Sequence, residues 1–391
     1  MDGTDARPDV RALLGNTERM LTREENELIT RVEGDAPAGE LMRRYWLPAL
    51  LSEEVETPGG TPVRVRLVGR DLVASRDAQG TLAIGDGVRT YPAREGGAMV
   101  WTYLGPPERE PQFPSFAWTK LPRTHLGLVK FIERTNYLQA AEGAIDTAHS
   151  WFLHRGVLRD WKLRSSLSMD FSPRLEAEDA PYGFRYAAIR KPTVDPDKFK
   201  YVKVTNVVFP TTVLVPQPMD PDVNPIVQLF IPMDDTHTMH YSLFFSHNGE
   251  PVDQQALREY TQCVPGVNLD ADWNLDINED NWWQQDRAAM KGDSYTGISG
   301  FPRQDLACQE SMGAIVDRSQ EHLGTSDIAI IRMRRRMLEN IRRVMNGETP
   351  IGLDVHVDYD RLRSEQRVLP IDEPWQQVGA FAGEYPARVA T

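Results

Sequence analysis

The sequence predicts an α+β fold in which a small β unit precedes an antiparallel sheet with helices packed on one side. Short segments of alternating polar and apolar residues between positions 61 and 103 indicate the β unit. Longer alternating segments between positions 127 and 247 are typical of antiparallel strands with one solvated face. Helical patterns fill the last third of the chain, and this order of elements indicates an α+β chain.

The first unit is expected to begin with a helix and to continue as short strands. Thr22, followed three residues later by Glu25, resembles a capping box at a helix start. Apolar and polar residues alternate in TPVRVRLVG, and DLVASRD and TLAIGDG predict a hairpin because AQG between them has turn chemistry. The proline-rich segment Pro111–Pro122 predicts a linker or surface strap. We expect the domain boundary there, with residues 1–118 before it and 119–391 after it.

The second unit is expected to combine one antiparallel sheet with several helices. It opens with the strand GLVKFIERTN, and a helix starts near Asn136. Further strands are predicted in FRYAAIRKP, YVKVTNVVFP, TTVLVPQP, NPIVQLFIPM and THTMHYSLFFSH. Later helices are predicted in VDQQALREYTQ, DNWWQQDRAAMK, DLACQESMGAIVDRSQ and SDIAIIRMRRRMLENIRRVM.

Composition excludes several classes of protein. The 391-residue chain has a formal net charge of −13, which argues against a nucleic-acid surface and against a polybasic membrane anchor. No run approaches the ~18–20 apolar residues that span a bilayer, and the N-terminus lacks the pattern of a secretory signal. Its two cysteines, Cys263 and Cys308, have no disulfide pattern. We therefore expect a cytoplasmic protein.

The segment Asn136–Gly156, NYLQAAEGAIDTAHSWFLHRG, concentrates residues that bind metals. Asp146 and His149 follow Glu142 at spacings of four and three, so the three are expected on one helix face. His154 lies five residues beyond His149, about 500° of helix, so its ring is turned roughly 140° away. Both rings can face one point only if the helix ends or bends between them, and the final glycine is a candidate terminator.

Two histidines and one carboxylate, with coordination positions left open, are the ligands that non-haem Fe(II) uses to activate O₂. Neutral imidazoles suit Fe(II), the carboxylate offsets charge, and the open positions admit O₂ beside a substrate. The spacing of His149 and His154 is weak evidence by itself, because two histidines so spaced are more often structural than ligating.

The segment TNYLQAAEGAIDTAHSWFLHRG resembles the iron-binding segment of Rieske-type aromatic-ring-hydroxylating oxygenases, above all the phthalate 4,5-dioxygenase-like large subunits. The resemblance covers nearly the whole chain. It includes MLTREENELITRV, GELMRRYWLPALL, VRVRLVGRDLVA, VWTYLGPP and QDLACQESMGAIVDRSQEHLGTSD. It implies a helix-grip (Bet v1/START-like) antiparallel sheet around a long helix in residues 119–391, preceded by a Rieske-like β unit.

The resemblance also implies roles for individual residues. The implied ligands of one mononuclear Fe(II) ion are His149, His154 and Asp305. Asp146 is implied as an electron-transfer bridge between this iron and the cluster of a neighbouring subunit, with a hydrogen bond to a histidine on each side. Asn136 and Glu142 match family positions and are expected around the ligands. Without the resemblance, Asp305 is an exposed acid near a helix start and Asp146 is a carboxylate on a helix surface.

One part of the family pattern is missing. The large subunits hold a two-iron, two-sulfur Rieske cluster through Cys-x-His and Cys-x-x-His, whereas the first cysteine here is Cys263 and the first histidine is His125. The several dozen residues that carry the cluster-binding loops are absent between Asp86 and Arg89. The sequence therefore predicts a truncated Rieske-like domain and no iron–sulfur cluster in this chain.

The resemblance implies O₂-dependent hydroxylation, or oxidative demethylation, of a small aromatic or heteroaromatic substrate. Because no second redox centre is predicted in the chain, electrons are expected from a separate Rieske-bearing protein or sister subunit and a reductase. A homotrimer or a hexamer is expected. Other interpretations are a redox-neutral reaction, a subunit inactivated by loss of its loops, and a non-catalytic subunit that completes a mixed oligomer or binds a ligand. Zinc in the site would favour a metal hydrolase.

Overall fold

The computed structural model describes residues 20–155, 157, 166–216, 224–292 and 294–381. None of the helices in these residues is long and apolar enough to cross a membrane. The α-helices are α1 (Arg23–Thr30), α2 (Pro37–Arg43), α3 (Tyr137–Ile145), α4 (His149–Phe152), α5 (Gln254–Thr261), α6 (Phe301–Glu310) and α7 (Ile328–Met345).

The strands form small sheets in the first part of the chain, and after it they form one eight-stranded sheet and a separate two-stranded sheet. The earlier strands are β1 (Trp46–Leu51), β2 (Val63–Leu67), β3 (Arg70–Arg76), β4 (Leu82–Gly85), β5 (Thr90–Tyr91), β6 (Ala93–Gly96) and β7 (Met99–Tyr103). The later strands are β8 (Leu126–Glu133), β9 (Arg174–Ala180), β10 (Gly183–Arg190), β11 (Phe199–Val208), β12 (Thr212–Leu214), β13 (Ile226–Pro232), β14 (Thr238–Phe245), β15 (Leu362–Arg363), β16 (Gln366–Pro370) and β17 (Ala380–Phe381).

The first part of the chain confirms the predicted β unit. Its sheets have the orders β1-β7-β6 and β2-β3-β4-β5, and β3 and β4 form the predicted hairpin. The capping box of Thr22 and Glu25 is present at the start of α1. Between β4 and β5, where the cluster-binding loops were predicted to be absent, the chain makes a short turn. The Asp86 carboxylate accepts hydrogen bonds from the backbone N–H groups of Val88 (2.9 Å) and Arg89 (2.7 Å) and closes that turn.

The large sheet is antiparallel, as predicted, with the order β8-β14-β13-β12-β11-β10-β9, and β16 pairs with β11. Side chains alternate between its faces. Phe131 of β8 packs on one face with Phe301 of α6, and Tyr186 of β10 donates a hydrogen bond on that face to the carbonyl of Ile145, which ends α3. On the other face Lys130 forms a 2.6 Å ion pair with Glu54 of the first unit. Helices therefore cover one face of the sheet, and the β unit lies against the other.

The details of several elements differ from the prediction. DNWWQQDRAAMK was predicted as a helix, but Trp282 (φ +53°) and Trp283 (φ +48°) have left-handed backbones, which an α-helix cannot contain. The helix predicted from DLACQESMGAIVDRSQ begins at Phe301 and ends at Glu310, earlier than the pattern indicated. Strands β9 and β16 were not predicted. The division of the chain at residue 118 stays a prediction.

Candidate metal centre

The segment with both histidines is a broken helix. Helix α3 ends at Ile145, and Asp146 has non-helical dihedral angles (φ −78°, ψ 89°). The Asp146 carboxylate accepts a hydrogen bond from the backbone N–H of Ala148 at 3.0 Å, which stabilises the turn in place of another helical turn. The chain turns helical again for the four residues of α4 only, so the helix ends between His149 and His154, as their spacing requires. Gly156, the candidate terminator, lies outside the described residues.

Helix α6 supplies the carboxylate. It starts after Gly300, whose φ of +78° lets the chain turn sharply into the helix, and it carries a proline in its first turn. Asp305 lies in its second turn and is partly exposed rather than a free acid at the helix start. Leu306 and Phe301 pack against the sheet, and the Phe301 ring lies 5.8 Å from that of His154. This packing fixes the position of α6, and with it that of Asp305.

The structure brings the three proposed ligands together. The Nε2 atoms of His149 and His154 are 3.2 Å apart, and Asp305 Oδ1 lies 3.5 Å from the first and 3.1 Å from the second. Two ligand atoms ~2.1 Å from one ion and at right angles to each other are separated by about 3.0 Å. Among the described residues, this is the group of histidine, cysteine and acidic side chains whose ligand atoms converge closely enough for a metal ion.

Gln304 determines which nitrogen of His154 faces the ligand cluster. Its amide N–H₂ group donates to Thr296 Oγ1 and to the carbonyl of Ile298, both at 2.9 Å. Its Oε1 therefore faces His154 and accepts a hydrogen bond from Nδ1 at 2.8 Å. With the proton on Nδ1, the lone pair of Nε2 points at Asp305 and His149, as metal binding requires.

The backbone carbonyl of Asp146 has the same effect on His149. It is hydrogen-bonded to His149 Nδ1, and because a carbonyl only accepts, this nitrogen is the donor. Two imidazole lone pairs and a carboxylate oxygen thus converge within 3.5 Å with no proton left to share between them. Such an arrangement is repulsive unless a cation lies at its centre. The nitrogen and oxygen donors fit Fe(II).

The electrostatics of the site keep the ligands in their binding forms. Burial, the largest cause, lowers the pKa of His149 below its ordinary value of 6.5; Asp305 opposes this and His154 adds to it. Burial acts to raise the pKa of Asp305, but His154 and His149 outweigh it, so the pKa lies below the ordinary 3.8. A neutral His149 and an ionised Asp305 are the forms that bind a metal ion.

The site is open on one side only. The side chain of His154 is 4% exposed, whereas those of His149 and Asp305 are 23% and 20% exposed. An ion bound between them would have protein on the side of His154 and accessible positions on the side of His149 and Asp305. Within the residues that the structure describes, coordination positions are thus left open, which a catalytic metal site requires.

The remaining predicted site residues lie elsewhere or act differently. The Asn136 side chain caps α3 and bonds to backbone groups of Leu138, Thr30 and Asp235. Glu142 was predicted on one helix face with His149, but α3 ends first, and its carboxylate binds Arg318 and Arg334. Neither residue hydrogen-bonds to the three proposed ligands, so the expectation that they surround those ligands finds no support in their contacts.

Sequence reasoning missed two residues that support the site. Gln304 carries no signal in the sequence beyond its position next to Asp305. Arg190, the last residue of β10, is 1% exposed. Its guanidinium lies over the Trp151 ring at 5.2 Å and donates to the carbonyl of Thr147 at 3.1 Å, so it holds the segment between Asp146 and His149 from the side of the sheet.

Two histidines and a carboxylate on the helical side of an antiparallel sheet match the ligand set that mononuclear non-haem iron centres use. Comparisons with known proteins agree. A family described as "LigXa C-terminal domain like" matches residues 102–388. The phthalate 4,5-dioxygenase oxygenase subunit of Pseudomonas putida is 35% identical over 92% of this chain and 95% of its own. The 5,5'-dehydrodivanillate O-demethylase oxygenase subunit of Sphingobium sp. is 26% identical over 85% and 83%.

Solved structures agree on the fold. The terminal oxygenase of carbazole 1,9a-dioxygenase from Nocardioides aromaticivorans matches with a TM-score of 0.53 and 15% identity, over 81% of this chain and 97% of its own. An oxygenase in a reduced complex with ferredoxin, from carbazole 1,9a-dioxygenase, matches with a TM-score of 0.50 and 15% identity, over 84% and 95%. The chain belongs to the Rieske-type oxygenases, in the phthalate 4,5-dioxygenase-like branch, and is an oxygenase subunit.

The length of the alignment with the Pseudomonas subunit can be compared with the predicted absence of the cluster-binding loops. It spans 424 positions, yet it includes 92% of the 391 residues here, about 360, so this chain has no residue at about 64 of those positions. A gap of that total size is consistent with the several dozen residues predicted to be absent between Asp86 and Arg89.

Proposed function

We propose that His149, His154 and Asp305 hold one Fe(II) ion and that the chain hydroxylates a small aromatic substrate with O₂. The observation that carries the proposal is the convergence of three lone-pair atoms within 3.5 Å, with both imidazoles oriented by hydrogen bonds on their far nitrogens. Bound in such a site, Fe(II) supplies O₂ activation beside the substrate. The family favours this oxygenase over a non-catalytic subunit.

The surrounding residues orient the two imidazoles and close one side of the site. Gln304 and the Asp146 carbonyl hold the two imidazoles in their binding tautomers. Arg190 and Trp151, both buried, close the side of the segment that faces the sheet. The accessible side of His149 and Asp305 is where substrate and O₂ would enter. Relatives named for phthalate and for 5,5'-dehydrodivanillate support an aromatic acid as substrate, with hydroxylation or oxidative demethylation as the outcome.

Electrons are proposed to come from outside this chain. Adding both atoms of O₂ to an aromatic ring as hydroxyl groups consumes two electrons and two protons, and one Fe(II) ion supplies a single electron. The sequence lacks the Cys-x-His and Cys-x-x-His pairs of a Rieske cluster. A solved relative in complex with ferredoxin supports a separate donor, here a Rieske-bearing protein or sister subunit with its reductase.

Asp146 is proposed to bridge the donor and the iron. Its carbonyl contacts the Nδ1 atom of His149, and its carboxylate holds the turn before that residue. If a histidine of the electron-donor protein hydrogen-bonded to Asp146, then Asp146 would be the one residue between that histidine and the proposed ligand His149. A homotrimer or a hexamer, the assembly implied by the family resemblance, would bring a neighbouring subunit to this position.

The test measures bound iron first and then separates iron chemistry from electron supply. Hydrogen peroxide has the composition of O₂ plus two electrons and two protons, so iron-loaded protein with phthalate and peroxide should yield hydroxylated product without any partner. With O₂ instead, product should appear only when a Rieske-bearing protein and its reductase are added. Asp305→Ala should lose both activities, and the exposed control Asp280→Asn should keep them.

Two outcomes would contradict the proposal. One is stoichiometric zinc in place of iron, which would support a hydrolase. The other is fully iron-loaded protein that converts neither phthalate nor methoxylated aromatic acids with peroxide or with the partner proteins, which would support a non-catalytic subunit.

A further inference from the structure

The break between helices α3 and α4 frees three consecutive backbone carbonyls. In a continuous helix, the carbonyls of Ile145, Asp146 and Thr147 would accept hydrogen bonds from the N–H groups four residues ahead. Because α3 ends at Ile145 and α4 starts at His149, none of the three has a backbone N–H partner among the described residues. Carbonyls inside a protein rarely lack a donor, so the break requires other donors in place of the helical ones.

Strand β10 supplies two of these replacement donors. Tyr186 and Arg190 are four residues apart on this strand, so both point to the helical face of the sheet. The Tyr186 hydroxyl donates to the carbonyl of Ile145 at 2.9 Å, and Arg190 Nη2 donates to the carbonyl of Thr147 at 3.1 Å. Both donor residues are 1% exposed, so these bonds are shielded from water on the side of the sheet.

Both donors are fixed in place and keep their protons. Arg190 Nε donates to the carbonyl of Asp170 at 3.1 Å, and the guanidinium lies over the Trp151 ring at 5.2 Å. Burial, the largest cause, raises the pKa of Tyr186 above its ordinary value of 10, so the phenol remains a donor at neutral pH. The two bonds from β10 are therefore present at the pH where the protein would be assayed.

The two bonds enclose Asp146. They hold the carbonyls of the residues directly before and after it, and its own carbonyl is hydrogen-bonded to His149 Nδ1. Its carboxylate accepts the backbone N–H of Ala148 at 3.0 Å. A peptide group is planar, so holding a carbonyl also holds the N–H of the next residue. The donors of β10 thus determine the direction in which Asp146 presents both its carboxylate and its carbonyl.

We propose that Tyr186 and Arg190 are positioning residues that hold Asp146 and His149 in the geometry for electron transfer from the partner protein. The inference rests on the proposed function, because it assigns the two residues to the path between the electron donor and the iron. Both act through the peptide groups on either side of Asp146. Their loss should therefore impair the delivery of electrons more than it impairs a reaction whose oxidant already contains those electrons.

The first measurement needs neither iron nor a partner. Amide hydrogen exchange in the iron-free full-length chain, followed on peptides that cover residues 145–152, reports how often the turn opens. Tyr186→Phe removes only the hydroxyl and should speed this exchange about five- to tenfold, the effect of one hydrogen bond. Tyr182→Phe is the matched control, because the hydroxyl of this buried tyrosine bonds to Asn206 instead, and it should leave the exchange unchanged.

The second measurement compares two ways of supplying electrons, with phthalate as substrate and rates expressed per bound iron. With O₂, a Rieske-bearing protein and its reductase, Tyr186→Phe should be at least about tenfold slower, and with peroxide its rate should change less than about twofold. Arg190→Lys keeps the charge but cannot reproduce both bonds of the guanidinium fork, so it should show the same split. Tyr182→Phe should keep both rates.

Unchanged hydrogen exchange in both Tyr186→Phe and Arg190→Lys overturns the proposal. So does an equal loss of the partner-driven and peroxide-driven rates, which would make the two residues general supports of the iron site. Conversion of phthalate by neither route in the unmodified chain would overturn the proposed function and this inference with it, whereas failure of this inference alone leaves the unmodified chain active by both routes. Circular dichroism checks that each variant is folded.

Discussion

Two clusters near helix α3 each place a carboxylate between two nitrogen-bearing side chains, and they behave differently. In the first, Glu142 lies between Arg318, 2.9 Å away, and Arg334, and every nitrogen that faces its carboxylate carries a proton. In the second, Asp305 faces His149 and His154 through nitrogens whose protons are engaged on the far side of each ring. The first cluster is complete by itself. The second becomes favourable only when a cation joins it.

The difference teaches that a buried carboxylate surrounded by nitrogen is not by itself a metal site. Whether such a cluster can bind a metal ion depends on which nitrogens carry protons. The hydrogen bonds that the surrounding residues make to those side chains set the positions of the protons. Gln304 is the clearest case, since its own two donors are used by Thr296 and Ile298 and its oxygen must face His154. The two clusters should therefore respond differently to substitution and to acid.

The largest effect is expected from Glu142→Gln. The change leaves the Arg318 guanidinium, which is 0% exposed, without its carboxylate partner, and it leaves Arg334 with Glu321 alone. Breaking a buried ion pair costs about 3–5 kcal/mol in the free energy of unfolding. Chemical denaturation should show this loss, while the iron bound per folded molecule stays unchanged. The control Glu339→Gln removes an exposed partner of Arg336 and should change stability by less than about 0.5 kcal/mol. Iron loss without destabilisation would show that Glu142 serves the metal instead.

The opposite response is expected from Asp305→Ala. Removing a direct ligand should weaken Fe(II) binding by more than about 100-fold, beyond the effect of losing an outer hydrogen bond. The iron-free variant should lose less stability than Glu142→Gln does, because Asp305 is partly exposed and its removal leaves no buried arginine unpaired. Anaerobic titration with Fe(II) and thermal unfolding measure the two quantities. Full iron occupancy in this variant would rule out Asp305 as a ligand.

A smaller effect is expected from Gln304→Leu. It removes the acceptor for His154 Nδ1, so the ring can place its proton on Nε2, and Fe(II) affinity should fall about 10–100-fold. Gln309→Leu is the matched control, because Gln309 is a buried glutamine of the same helix whose amide bonds to the carbonyl of Ala140 in α3. Equal Fe(II) affinities in the two variants would mean that Gln304 does not orient the ring.

The smallest effect is expected from mild acid, which should affect the two clusters in sequence. Burial lowers the pKa of His149 below 6.5, so the folded chain binds this proton less readily than the unfolded chain. The stability of the iron-free chain should therefore fall as the pH falls below 6.5 towards the lowered pKa, and Fe(II) should be released there as protons compete.

The Glu142 cluster should persist through that range. Burial acts to raise the pKa of Glu142, but Arg318 and Arg334 outweigh it and hold the pKa below 4.5. Its contribution to stability is present above pH 4.5 and is lost as the pH falls further. Bound iron and thermal stability, followed together from pH 7 downwards, should show two steps. A single step below pH 4.5 would contradict the separation.

Much of the fold and the metal site could be predicted because the signals are local. The alternation in β8 and β14 indicates strands, and the spacing of His149 and His154 requires a helix break, which the structure has. The error at Glu142 arose from a competition that the spacing does not show. The Asp146 side chain binds a backbone N–H two residues ahead and ends α3, so the register from Glu142 to His149 is lost.

The amino-acid sequence by itself determined the residue types of a two-histidine, one-carboxylate centre, the net negative charge and the lack of Rieske ligand pairs. Only the tertiary structure decided which lone pairs meet, that Glu142 belongs to a pair of arginines, and that Arg190 is buried. The physical reason is that a hydrogen bond depends on the direction of both partners. Those partners, such as Gln304 for His154, are far apart along the chain and meet only when the helices pack on the sheet.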